Sequence, residues 1–300
     1  MGCADRRSVN ESPAKKGAVN SVSPWGDPNR GVQGHLTLEC RVDARGRTFL
    51  AKQSFRAPMH LSKPYWDGNH LIINMVNPTA GLFAGDSLDV FVHVCPGARA
   101  VLTSPSATRV FRARDSAGEA QVVQSFVVEN GGRLDVFPEI LIAHAGARYR
   151  QTTRIDVHGG GELFTTEMIA PGRTAFGESF DYGQLEIGMD LITANKLAAR
   201  ECYRLTPGSE SVQTMKRRFP NAYYASAFIV STRPDDESVQ HAVRALNTPQ
   251  VLAGASRPSE SIYAIKLVAA NSISLRNAVR AIRAIAYSHL GSPEPLLRKL

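Results

Sequence analysis

The sequence is poor in cysteine: four in 300 residues, at Cys3, Cys40, Cys95 and Cys202, far apart and never in a C-x-x-C pair. A disulfide framework belongs to short chains dense in cysteine, and structural zinc sites are built on closely spaced pairs, so neither organises this chain. Cys40 and Cys95 read as small apolar residues in or beside strands. Long hydrophobic runs are lacking too. No stretch reaches the roughly 18 consecutive apolar residues of a membrane span, and no basic start leads into an apolar secretory segment. Met1-Gly2-Cys3 opens like a lipidation signal, but the myristoylation pattern wants Ser or Thr where Arg6 stands. The expectation is a soluble cytoplasmic protein with no membrane partner.

Catalytic signatures are also missing. There is no G-x-S-x-G elbow, no G-x-x-x-x-G-K-[ST] loop and no H-E-x-x-H pair, and the eight histidines show no i, i+2 or i+4 spacing. The glycine-rich run Ala80-Gly81-Leu82-Phe83-Ala84-Gly85-Asp86 lacks the lysine of a phosphate loop and precedes a strand pattern where such a loop precedes a helix. No catalytic residue and no tightly bound cofactor is assigned. The formal net charge is +8, but much of the excess lies at the ends. Residues 1–33 carry Arg6, Arg7, Lys15, Lys16 and Arg30 against Asp5, Glu11 and Asp27, and residues 276–300 carry five basic residues against Glu294 alone. A nucleic-acid binder concentrates charge on its folded face. The internal runs Arg109/Arg112/Arg114 and Lys216-Arg217-Arg218 read as solvated faces or guards on edge strands, so no nucleic-acid partner is expected.

What the chain does have is period-two patterning from residue 34 to about 190. Leu36, Leu38, Cys40 and Val42 alternate with polar residues; Leu88, Val90, Val92 and Val94 alternate with Asp89, Phe91 and His93; Tyr149, Thr153, Ile155 and Val157 keep one parity, and Leu185, Ile187 and Met189 do so again. Alternation marks half-buried strands, because successive side chains point to opposite faces. Pro96-Gly97, Gly131-Gly132 and Gly159-Gly160-Gly161 separate such runs as turns. Between 190 and 235 a long loop from Pro207-Gly208 and one strand, Tyr223–Ser231, are expected. Asp235-Asp236 predicts a helix N-cap with Glu237 in the first turn and Val239, Val243 and Leu246 on one face. After a strand near 261–269, Asn271–Leu290 predicts a second helix burying Leu275, Val279, Ile282 and Ala286, with Arg276, Arg280 and Arg283 on or near the other face. Residues 1–33 hold too little apolar surface to offset ordering entropy and are expected to be disordered. The fold class is thus mainly β: many short strands in an extended scaffold, two helices in the C-terminal third, and one domain over 34–300.

Several acids sit beside glycine or proline at predicted strand ends: Asp86, Glu139 after Pro138, Glu178 after Gly177, and Asp181. Such corners suit ordinary turn chemistry, in which a carboxylate accepts backbone N–H groups. They equally suit a set of oxygen ligands or a charged channel.

The order of these pieces resembles the UreD/UreH family of urease accessory proteins. Asn77 to Asp89 is similar to that family's glycine-rich signature, with Ala80 and Ala84 in place of two glycines. Pro96-Gly97-Ala98-Arg99-Ala100, Thr103 to Arg112, Phe137-Pro138-Glu139, Ala145-Gly146-Ala147-Arg148 and Gly172 to Phe180 follow in the family's order. The resemblance implies a β-helix-like, non-catalytic scaffold. It would bind urease apoprotein and a UreF-type accessory protein, reach a UreG-type GTPase through that complex, and help carry nickel in transit to the urease active site through an internal tunnel. On this reading Asp86, Glu139 and Glu178 are metal-path or interface residues. Two other classes stay open from the residues themselves: a carbohydrate-acting hydrolase on a β scaffold with paired carboxylates, and a protein-binding module using the arginine-bearing C-terminal helix.

Overall fold

The structure, a computed structural model, describes residues 31–113, 118–233 and 237–297. Of the segment expected to be disordered, residues 1–30 lie outside the described residues, and Gln33 already opens the first strand. β1 (Gln33–Val42) and β2 (Thr48–Arg56) form a hairpin, and β3 (His60–Leu61) and β4 (Tyr65–Asp67) flank β5 (His70–Val76). From there the chain alternates between two sheets. β6 (Ser87–Val94) enters the first, β7 (Arg99–Thr103) and β8 (Thr108–Val110) the second, and β9 (Ala120–Val128) the first. β10 (Arg133–Phe137) and β11 (Leu141–Ala143) go to the second, β12 (Arg148–Val157) to the first, β13 (Glu162–Ala170) to the second and β14 (Gln184–Thr193) to the first. β15 (Lys196–Leu205) turns back beside β14 and α1 (Glu210–Arg218) follows. β16 (Tyr223–Val230) rejoins the second sheet, and α2 (Ser238–Arg244), β17 (Val251–Ser259), β18 (Ile262–Ala269) and α3 (Ser272–His289) complete the described chain.

The first sheet runs β15-β14-β12-β9-β6-β1-β2, and the path of the second runs β17-β18-β16-β13-β10-β7-β5-β3. The pairings β1–β6–β9–β12–β14 and β5–β7–β10–β13 are parallel and in register, so successive passes stack as the rungs of a two-sheet β-helix. One corner is the same turn three times. Ala98, Gly132 and Gly161 N–H donate to the carbonyls of Cys95, Glu129 and His158 at 3.1, 2.8 and 2.8 Å. The third residue of each turn, Gly97, Gly131 or Gly160, has φ of 74, 68 or 78°. A type II turn requires that left-handed residue, and glycine adopts it without a Cβ clash. The turns recur at uneven intervals, which is why no fixed-period repeat shows in the sequence.

Two cores result. The inner faces of both sheets bury Leu36, Val90, Phe126, Leu134, Ile155 and Leu163 together, and the outer face of the second sheet packs Phe164, Ile229, Tyr263 and Ile265 against α2 and α3. The first sheet has one face in solvent and keeps its alternation, as in β6, where Asp89, Phe91 and His93 face out. The second is covered on both faces, so β13 and β16 are near-continuously buried, as expected of strands between two layers. α3 follows the expectation closely: Asn271 caps it by accepting from Ser274 N–H at 2.9 Å, and Leu275, Val279, Ile282 and Ala286 are buried. Burying one such aliphatic side chain contributes about 1.5–3 kcal/mol. Arg283 departs from it, being buried beside Tyr287 and paired with Glu294.

The expected mainly β scaffold with many short strands is what the structure has, with three corrections in its last third. The region read as a loop after Pro207-Gly208 contains α1, whose N-cap is Ser209 and whose last turn holds Lys216, Arg217 and Arg218. Those cations face the negative end of the helix dipole, and Val212 is its one buried residue, too thin a stripe for a periodicity argument. β15 and β17 were not expected because they are edge strands with much exposed, polar surface. Glu237 stands at the N-cap position of α2 with φ of 60°, one residue before the first turn; Asp235 and Asp236 lie outside the described residues. Among the described residues no helix is long and apolar enough to cross a membrane.

Candidate functional site

The glycine-rich run forms the loop between β5 and β6. Asp86 is buried there, its Oδ1 accepting from Val32 N–H and its Oδ2 from Phe83 N–H, both at 2.8 Å. One carboxylate thereby ties the loop to the chain entering β1, the turn chemistry its position suggested. Gly81, at φ of 151°, lies so close to β8 that a Cβ would stand 2.5 Å from the Arg109 carbonyl. Ala80 and Ala84, where the family signature has glycine, are not among the residues with positive φ; in this loop that conformation falls to Gly81 and Gly85. Under the loop lies a cavity of about 280 Å3, lined by Met59, Met75, Leu82, Arg109, Val122 and Tyr149 among others.

An aromatic file leads away from the loop. Phe83 stacks on Phe111 at 4.7 Å between ring centroids, and Phe111 meets His144 edge-on at 4.7 Å. It ends at an open cleft of about 620 Å3 lined by Arg109, His144, Arg173, Phe176, Tyr223 and Arg276. Glu178 grips Arg173 with both carboxylate oxygens and also accepts from Ala145 N–H at 3.2 Å. The Arg173 hydrogen bonds hold the Glu178 carboxyl below its ordinary range. Burial, and then Arg173, lower the basicity of His144. Glu139 pairs with Arg276 of α3 at 2.9 Å, its own N–H donating to Ser104 Oγ at 2.8 Å. Glu139 and Glu178 thus hold arginines that line one cleft. Asp86 belongs to the loop that carries Phe83.

Between the two sheets lies a polar seam that no sequence signal singled out. Tyr149 Oη donates to Gln151 Oε1 at 2.6 Å, and Gln151 Nε2 donates to Glu167 Oε1 at 2.8 Å. Thr153 donates to Gln124 at 3.0 Å, Tyr224 donates to Glu201 at 3.0 Å, and Lys266 pairs with Glu201. Gln124, Gln151, Thr153, Glu167, Glu201 and Ser226 line a small cavity of about 60 Å3. Burial, with the nearby Glu201 carboxylate adding, pushes the Glu167 carboxyl up to about 7. A usable signal exists in retrospect. Gln124, Gln151, Thr153, Thr165 and Glu167 occupy the inward parity of β9, β12 and β13, between apolar residues of the same parity. Tyr149 lines the loop cavity and bonds Gln151 of the seam, while Arg109 lines both the loop cavity and the cleft. Among the described residues no three His, Cys, Asp or Glu side chains form a ready metal site.

Residues 32–299 match the family described as UreD urease accessory protein. The chain is 37% identical over 257 residues to the urease accessory protein UreD of Opitutus terrae, covering 84% of this chain and 93% of that one. It is 29% identical over 272 residues to the protein of the same name from Deinococcus radiodurans, covering 88% and 93%. To that of Alcanivorax borkumensis it is 29% identical over 238 residues, covering 77% and 78%.

Proposed function

This chain belongs to the UreD urease accessory protein family, and we propose that it is a cytoplasmic, non-catalytic scaffold that binds urease apoprotein and UreF- and UreG-type partners and passes Ni²⁺ toward the urease active site. The observation that carries this reading is the polar seam, which threads carboxylate, amide and hydroxyl groups through an otherwise apolar interior. Nickel here is cargo. Oxygen donors suit a conduit because they bind a borderline cation less firmly than thiolates and so release it. A carboxyl poised near neutral, as Glu167 is, exchanges its proton for an arriving cation at little cost. The loop cavity, sharing Tyr149 with the seam and Arg109 with the cleft, supplies the approach.

On this reading Asp86 braces the loop over the approach, and Glu139 and Glu178 act at an interface by fixing Arg276 and Arg173. Residues 34–300 would work as one domain, since the second sheet contributes to both cores. A hydrolase is less well supported: the cleft is lined by guanidinium groups, and the two carboxylates beside it are engaged by arginine. The test is co-expression of the tagged chain with urease subunits and the UreF-type partner, followed by pull-down and nickel-dependent urease activity. Glu167→Gln should keep partner capture and lower activation. Undiminished activation removes the conduit, and a folded wild-type chain that captures no partner removes the scaffold.

A further inference from the structure

The cleft beside β8, β11 and α3 combines exposed apolar side chains with arginines. Phe176 stands 76% exposed at the tip of the loop after β13, Ile273 of α3 is 71% exposed, and Phe83 is 49% exposed at the far end of the aromatic file. The floor is aliphatic, with Ile140, Ile142 and Ala170. Between these apolar points stand three arginines. Arg173 and Arg276 are held in place by Glu178 and Glu139, while the exposed Arg109 has no carboxylate partner among the described residues. A guanidinium immobilised before binding loses less entropy when its remaining N–H groups meet a second carboxylate, so these pairs preorganise the surface. The loop bearing Phe176 is itself stapled. The Arg173–Glu178 pair closes it, Thr174 Oγ1 meets Tyr223 Oη at 3.0 Å, and Gly172 sits where a Cβ would come 2.9 Å from the Glu178 carbonyl. Large exposed apolar side chains on a rigid frame mark interaction sites.

We propose that this cleft docks an extended segment of a protein partner in which acidic residues alternate with aromatic or aliphatic ones. The reading rests on the scaffold role above and names the chemistry of the partner at this face. Acidic side chains answer Arg109, Arg173 and Arg276, and apolar ones cover Phe176, Ile273 and Phe111. Single-stranded nucleic acid also uses arginines and rings, but the floor between them is aliphatic and offers no face on which bases stack, which favours a peptide with apolar side chains.

The test is fluorescence anisotropy on the full chain with three labelled probes: a peptide repeating Asp-Phe-Glu-Leu, the same peptide with Lys at every acidic position, and oligo-dT. The acidic peptide should bind best, at about micromolar Kd and more weakly as salt rises. Arg109→Glu and Phe176→Ser alter exposed side chains and should each weaken it about tenfold or more, with the melting temperature of the variants checked alongside. Equal or tighter binding of either other probe, or unchanged affinity in both variants, overturns the proposal. Pull-down with urease components separates the two readings. Capture by the wild type that persists in both variants sinks the docking site and spares the scaffold. No capture even by the wild type sinks the scaffold, while the peptide result still decides the cleft.

Discussion

Replacing Glu167 with glutamine should stabilise this protein at about pH 8 and change it little at about pH 5. Burial, with Glu201 second, lifts the Glu167 carboxyl from 4.5 to about 7 in the folded chain. The unfolded chain therefore releases this proton earlier as pH rises. Below 4.5 both states are protonated and nothing is lost; between 4.5 and about 7 the folded state holds a proton the unfolded state has shed, and stability falls until it levels off above that range. At 1.36 kcal/mol per pH unit the full loss is about 3 kcal/mol, which we reduce to about 2 kcal/mol because Glu167 is only half-buried against a cavity that admits water. Glutamine stands in for the protonated acid: its carbonyl still accepts from Gln151 Nε2, and it carries no charge toward Glu201. Urea denaturation followed by far-UV circular dichroism between about pH 5 and pH 8 should show the variant gaining about 2 kcal/mol at the alkaline end and less than about 1 kcal/mol at the acid end. In thermal melts that gain is about 4 °C. A wild-type-to-variant difference that stays constant across the range, or shrinks as pH rises, would refute the reasoning.

Asp86→Ala strips two backbone N–H groups of their acceptor and should cost about 2–4 kcal/mol in chemical denaturation, whereas Asp86→Asn, which keeps one acceptor oxygen, should cost less. Gly81→Ala should cost at least about 2 kcal/mol, because the added methyl meets the Arg109 carbonyl at 2.5 Å; Ala84→Gly in the same loop should cost less than about 1 kcal/mol, and equal effects would contradict the loop geometry described. Ile282→Ala in α3 should cost about 2–5 kcal/mol by opening a cavity against the second sheet, read from the denaturation midpoint. Lys266→Met removes the cation that holds down the proton affinity of Glu167, so the pH at which stability levels off should move upward.

The site was less legible than the fold. Asp86, Glu139 and Glu178 stood out in sequence because they flank glycine or proline at strand ends, and each proves to be engaged with a backbone N–H or an arginine. Arg109 reads in sequence as solvated surface charge, Arg173 only as part of a glycine-flanked motif and Arg276 as one arginine of the last helix; they come from three distant stretches, so nothing local joins them in one cleft. Glu167 and Gln151 lay in segments already read as strands, and only their parity against buried neighbours distinguishes them. α1, β15 and β17 escaped notice for a related reason: each has so much exposed surface that its hydrophobic pattern is faint.

The amino-acid sequence by itself determined the β-rich middle, the turn glycines and the last helix. Those depend on local rules: alternation across a pleat, a left-handed residue at a tight turn, and an aliphatic stripe at helical spacing. Only the tertiary structure decided how the strands deal out between two sheets, and therefore which inward positions meet. Parallel pairing joins residues far apart in the chain, and no local pattern records that Gln124, Gln151, Glu167 and Glu201 line one cavity.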